Sequence, residues 1–282
     1  MKQVAQLVLF VAVLASSVAA QTFDAVSVKL SPPPPGNPFG FPVIGNIRME
    51  AGGRVTATTA TLRELVRRAY DVQDFLMFGG PEWVDKERYD IIATPADAIV
   101  RPEVVRAMMR AMLADRFKLV VRTEAREMPI YELHVARAGQ LGPTIKPSAV
   151  DCAAIRAKRS VGAPIPLDGS EPRCALSARM STASSNTTMM LEGESMAEIA
   201  RLLTPQARRV VVDRTGLAGT YAFELTTARD TSVGRIPGAP PPADDGISLL
   251  TGVQEQLGLK LESARGRVEV LVIESAERPA AN

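Results

Sequence analysis

Histidine and tryptophan occur once each in this chain of 282 residues, cysteine twice and tyrosine four times. These scarcities exclude a good deal. A zinc centre needs His, Cys or carboxylate ligands clustered at set spacings, and the sequence has neither an HExxH nor a CxxC. His134, the sole histidine, lies in the alternating segment Ile130–Ala136 and reads as a half-buried or exposed strand residue. The run Gly193-Glu194-Ser195-Met196-Ala197 looks like a hydrolase nucleophile elbow, but in that class the His follows the Ser, and here it precedes it. Ser195 reads instead as a helix cap. Gly52-Gly53 and Gly79-Gly80 lack the Lys-Ser/Thr that completes a phosphate loop. Aromatics make up only 5% of the chain, too few for sugar platforms or stacked bases, and a formal charge of +2 offers no general attraction for nucleic acid. No catalytic set, metal site or cofactor motif is legible, and nucleic acid is not an expected partner.

Long apolar runs are equally scarce. The one at the N-terminus, Val4–Ala15, follows a single Lys and precedes small residues ending Val18-Ala19-Ala20. This reads as a signal peptide over residues 1–20 with Gln21 as the first mature residue. The run is too short for the roughly 20 residues of a membrane span, which disfavours the other reading, an N-terminal anchor. No stable membrane span is expected after cleavage, and the protein is placed in the periplasm or outside the cell. In an exported chain an even pair of cysteines reads as a disulfide, here Cys152–Cys174. Such a bridge would contribute roughly 3 kcal/mol on the chain-entropy picture. The alternative is two unpaired buried thiols.

What is present is ordinary globular material, 46% hydrophobic and 23% charged, in which one pattern occurs twice. Thr61–Ala93 and Ser195–Leu225 each open on a capping box, Thr61-x-x-Glu64 and Ser195-x-x-Glu198. Each continues with apolar residues at helical spacing: Leu62, Leu65, Val66 and Ala69, then Met196, Ile199, Ala200 and Leu203. Each then passes through Val-Asp-basic (Val84-Asp85-Lys86; Val212-Asp213-Arg214) to a strand led by Tyr89 or Tyr221. We read an internal duplication. Phe23–Leu30 is the first strand, a Pro-rich stretch from Pro32 to Pro42 a surface connector, and Ile47–Glu50 with Val55–Thr59 a hairpin. Pro102 opens a second helix whose Val105, Met108 and Met112 are core filler. Phe117–Thr123 and Met128–Ala136 read as a further hairpin, answered late in the chain by Leu259–Leu261 and Val268–Glu274. Val233–Asp245 is a Gly/Pro-rich insertion, after which Asp245 caps a helix running to Leu257 with Gly258 at its end.

Each half is thus expected to run strand–helix–strand–strand–helix–strand–strand, an α+β fold with helices on one face of mainly antiparallel sheet. The expected boundaries are 21–138 for the first half, 139–188 for a Pro/Ser/Gly-rich linker holding both cysteines, and 189–282 for the second half.

Several segments carry a family resemblance: Phe23-Asp-Ala-Val-Ser-Val-Lys29, Gly79-Gly80-Pro81-x-Trp83, Leu113-Ala-Asp-Arg-Phe-Lys-Leu119, Val212-Asp213-x-Thr215-Gly216-Leu217-x-Gly219-x-Tyr221, and Gln254-Glu-Gln-Leu-Gly-Leu-Lys-Leu261. In these the chain resembles an uncharacterised exported family of soil bacteria, a domain of unknown function, over nearly all its mature length. That resemblance implies no activity. Some relatives look fused to a membrane metallopeptidase of antibiotic-sensor type, which implies an extracytoplasmic sensing role. The repeated helix-and-strand unit also looks like the short N-terminal domains of secretins and TonB-dependent receptors, an analogy of fold alone.

Trp83, Asp85, Tyr89, Asp213 and Tyr221 are the candidate binding residues, at matched positions that could flank a groove between the halves. Against this, each Val-Asp-basic segment also reads as a turn, with the Tyr filling core. The expected function is a non-enzymatic binding or sensing module for an envelope or extracellular ligand or protein. A carboxylate-based hydrolase is the alternative.

Overall fold

A computed structural model describes residues 22–32, 45–98, 101–159, 172, 174, 177–180, 186–228 and 246–280. The expected signal peptide, all but the first proline of the Pro-rich connector, and the Val233–Asp245 insertion lie outside the described residues.

The first half runs β1 (Phe23–Leu30), β2 (Asn46–Met49), β3 (Val55–Thr61), α1 (Leu62–Tyr70), β4 (Met77–Gly79), α2 (Trp83–Lys86), β5 (Arg88–Pro95), α3 (Pro102–Arg116) and β6 (Val120–Val135). Then come β7 (Ile145–Ser148), α4 (Cys152–Lys158), β8 (Ser177–Met180), β9 (Asn186–Glu194), α5 (Met196–Ala207), β10 (Val211–Asp213), β11 (Thr220–Ala228), α6 (Leu249–Leu257) and β12 (Leu259–Ser275). These strands make three four-stranded sheets. The outer two have orders β1-β5-β3-β2 and β7-β11-β9-β8, and a central one has order β10-β6-β12-β4.

The outer sheets correspond strand for strand. Tyr89 lies opposite Ala60 at a break in the β3–β5 register, and Tyr221 lies opposite Glu194 at a break in the β9–β11 register. The backbone turns left-handed at matching points, Thr59 (φ 50°) and Gly193 (φ 69°). The central sheet joins the halves. β6 and β12 pair antiparallel along their lengths, while the short strands cross over: β10 pairs parallel with β6 and β4 pairs parallel with β12. Val211 faces Tyr131 in one case and Met77 faces Leu271 in the other. Each half therefore completes the other's long strand.

The described residues form three apolar clusters. One packs α1 and α3 under the first outer sheet around Leu65, Met109 and Phe117. A second packs α5 and α6 under the other outer sheet around Ile199, Leu203 and Phe223. A smaller third covers the middle of the β6–β12 ribbon, where Leu76, Ile130, Val268 and Val270 meet Phe75, Met128 and Val210.

Several expectations change. The hairpin expected over Phe117–Ala136 is one continuous strand, β6, and its late counterpart is one strand, β12. Glu124-Ala-Arg-Glu127 holds no residue that favours a turn, and the unbroken antiparallel ladder rewards extension. Pro129 survives inside β6 because Tyr131 donates its N–H to Val210 O (2.8 Å), on the side away from β12. Amides alternate along a strand, so the nitrogen of Pro129 points to that same side, where β10 has not begun. The span 139–188 is more than a linker: it supplies β7, α4 and β8, and β7 and β8 form the two edges of the second outer sheet. Cys152 and Cys174 are bridged, their sulfurs 2.02 Å apart.

The first capping box closes: Thr61 accepts from Glu64 N (3.2 Å) and Glu64 accepts from Thr61 N (2.8 Å). The second does not. Ser195 accepts from Glu198 N, but Glu198 is turned to Arg201, which donates to it twice, at 2.7 and 2.9 Å. Two charge-assisted bonds outcompete one backbone N–H. The cap of α6 is Ser248, which accepts from Thr251 N (3.1 Å), and Gly258 (φ 65°) ends that helix as expected. Asp245, the expected cap, lies outside the described residues.

Candidate functional site

The five residues singled out from the sequence separate into two groups. At one end of the first half, Trp83 and Tyr89 meet edge to face with centroids 6.5 Å apart, and Tyr89 stacks edge-on against Phe117. The Tyr89 hydroxyl donates to Glu87 (2.9 Å), and Arg278 grips Glu87 from above, with its closest contact at 2.6 Å. Arg278 also lies over the Trp83 ring, 5.4 Å from its centroid. Burial pushes the Tyr89 phenol well above its ordinary range, and the bond to Glu87 adds to the shift. The hydrogen bond from Arg278 holds the Glu87 carboxyl below its usual range. A groove of about 460 Å³ opens beside them, lined by Val28, Leu30, Glu87, Tyr89, Arg278 and Pro279. Asp85 points elsewhere, paired with Arg63, which also donates to Met77 O and Gly79 O and so ties α1 to β4.

In the second half Asp213 closes a turn, accepting from Thr215 N (2.9 Å) and Thr215 Oγ1 (2.8 Å). Tyr221 is buried in its own core and donates to Ala218 O (3.1 Å). Tyr89 and Tyr221 thus fill separate cores and do not face one another across a shared groove. The two Asp differ in place and role: Asp85 sits on α2 beyond β4 and pairs with Arg63, and Asp213 ends β10 and closes a turn. His134 is a half-exposed strand residue 3.4 Å from Glu132, and the Ser195 hydroxyl caps α5.

A different set of residues lines the space between the halves. The turn before β4 brings Phe75 and Leu76, the turn before β10 brings Arg208, Arg209 and Val210, and the ribbon brings Met128, Pro129 and Val268. Together they enclose a pocket of about 190 Å³. Pro129 helps to make it, because the sheet cannot extend past a residue without an N–H, and a notch remains where β10 would continue. The floor is apolar. The walls differ: Phe75 and Leu76 from the first half are apolar, and Arg208 and Arg209 from the second are cationic. Arg209 lies over the Tyr131 ring, 5.0 Å from its centroid. Neither arginine side chain has an ion pair among the described residues. The sequence held one cue to this pocket, since Leu76 and Val210 each sit one residue before the matched strands β4 and β10. Only the crossing of those strands into opposite partners brings the two turns together.

A second open surface is the outward face of the other outer sheet. There a groove of about 460 Å³ is lined by Lys146, Glu192, Ala222 and Glu224. Ala222 lies opposite Lys146, and Glu224 opposite Met190, two residues from Glu192. No group of three or more metal-ligating side chains occurs among the described residues. No helix among them is long and apolar enough to cross a membrane.

No curated protein and no solved structure matches the chain. A family described as a protein of unknown function, DUF3738, matches residues 63–276. That match takes in α1 from its second residue, all of α5, both long strands and the pocket between the halves, and the chain belongs to the DUF3738 family.

Proposed function

We propose that the protein is an exported, non-enzymatic binding or sensing module, built from two duplicated halves, whose ligand occupies the pocket between them. The observation that carries this reading is the pocket's composition: an apolar floor contributed by both halves, with two arginines of the second half at its rim. Small-molecule sites favour that mixture and that position between structural units. The matching strand orders of the outer sheets support the duplication. The Cys152–Cys174 bridge is compatible with export. The test is thermal unfolding of the chain from Gln21 against peptidoglycan fragments, polysaccharides, peptides, β-lactams and amphiphilic acids. A ligand at 100 times its dissociation constant adds roughly 2.7 kcal/mol. A saturable rise with the compound recovered unchanged supports a binding module, and consumption of the compound overturns it.

Glu192 and Glu224 favour one second reading, a carboxylate-based hydrolase, because they line a single open groove beside Lys146. Hydrolysis of a glycoside or envelope polymer that is abolished by both Glu192→Gln and Glu224→Gln supports it. Activity that survives either change removes it.

A further inference from the structure

We infer that the pocket between the halves takes an amphiphilic anion: a compact apolar body in the notch and an oxyanion head, carboxylate or phosphate, at Arg208 and Arg209. The inference rests on the binding reading above and names the ligand class for the same site. Three observations carry it. The first is the polarity of the walls. Phe75, Leu76, Met128, Val210 and Val268 form an apolar surface, and Arg208 and Arg209 follow one another at one side of it. A ligand lying across the pocket must therefore be apolar at one end and anionic at the other.

The second is the state of the two guanidinium groups. Most arginines near the ribbon are committed: Arg126 to Glu124, Arg265 to Glu127, Arg122 to Glu124 and Glu274, Arg214 to Glu132. Arg208 and Arg209 have no carboxylate partner among the described residues, and Arg209 is held over Tyr131 instead. A guanidinium offers a planar fork of donors that matches a carboxylate or phosphate in two-point contact. Stacking on an aromatic ring limits its freedom, so less is lost when it binds. The third is size. At about 190 Å³ the pocket is smaller than the roughly 300–1,000 Å³ typical of sites for drug-sized ligands. It suits a short chain or a single ring and is too small for a folded polymer.

Isothermal titration of the full chain with hexanoate, hexyl phosphate, hexanol and hexylammonium tests this. Hexanoate or hexyl phosphate should bind saturably and at least about tenfold more tightly than hexanol, the margin of one charge-assisted contact. The preferred acid identifies the head group. Arg208→Gln/Arg209→Gln should erase that margin and leave hexanol unchanged, which separates loss of the anion contact from loss of the pocket. Equal binding of hexanol and the acids overturns the anion inference while leaving a binding pocket in place. Tighter binding of hexylammonium, or an acid margin that survives the double substitution, also overturns it. Failure of all four probes overturns the inference, and the binding reading is then judged by the wider unfolding panel. Retention of the unfolding temperature in the double variant shows that the fold is intact.

Discussion

The two outer sheets share an architecture but hold it by different means. In the first, the left-handed residue at the register break is Thr59, whose N–H is bonded to Asp90 (2.8 Å), and in the second it is Gly193. Next to these lie Ala60 in one sheet and Glu194 in the other, both buried. Glu194, 2% exposed, is held by a two-point contact from Arg156 of α4, one arm at 2.8 Å. Arg156 also donates to Cys174 O (3.3 Å), and α4 begins at Cys152. The first half closes its helix cap with its own Glu64. The second leaves Glu198 to Arg201 and buries a carboxylate whose counter-charge rides on a disulfide-stapled helix. One half is satisfied locally, and the other depends on the segment between the halves.

The largest expected effect comes from that segment. Replacing both cysteines by Ala should cost roughly 3 kcal/mol in denaturant unfolding. An unchanged midpoint would mean that the bridge constrains nothing. Next, Arg156→Ala should cost about 2 kcal/mol, below the value for a fully buried pair because its side chain is 40% exposed. In a Glu194→Ala background, which copies Ala60, the same change should cost much less. Equal costs in the two backgrounds would show that the buried carboxylate does not need its partner. The left-handed positions should respond in opposite directions. Gly193→Ala places a Cβ 2.6 Å from Val150 O and should destabilise, whereas Thr59→Gly relieves a β-branched residue at φ 50° and should stabilise by about 1 kcal/mol. The smallest difference is at the caps. Ser195→Ala should cost about 1 kcal/mol and Thr61→Ala somewhat more, because only Thr61 sits in a closed box. Thermal denaturation of the two variants side by side gives the ordering.

Some signals are legible in the sequence because they are local. Thr61 and Ser195, the Leu62–Ala69 and Met196–Leu203 stripes, Pro102 at the start of α3 and Gly258 at the end of α6 all act within one or two turns. The α+β class follows from those elements. What the sequence hides is non-local. Nothing in Val120–Val135 states that its partner lies in β12, so the segment reads as two short arms where one long strand runs. Pairing cues are absent from the short strands as well: Met77-Phe78-Gly79 and Val211-Val212-Asp213 do not announce that each will pair with the other half's long strand. The pocket is a product of that exchange. Tyr89 and Tyr221 stand out as large residues at repeated positions, yet large residues at repeated positions are what two similar cores require. Phe75, Met128 and Val210 resemble ordinary core residues in the sequence, and only their place between the halves distinguishes them.

The most direct test of a ligand site between the halves is the methyl spectrum of the full chain labelled at methionine, with the Met128 resonance assigned through Met128→Leu. A compound that raises the unfolding temperature should move Met128 saturably, with the affinity found calorimetrically. Met108 and Met196, each 1% exposed in a separate core, should stay in place. Stabilising compounds that leave Met128 unmoved would contradict the account and place the ligand elsewhere on the molecule.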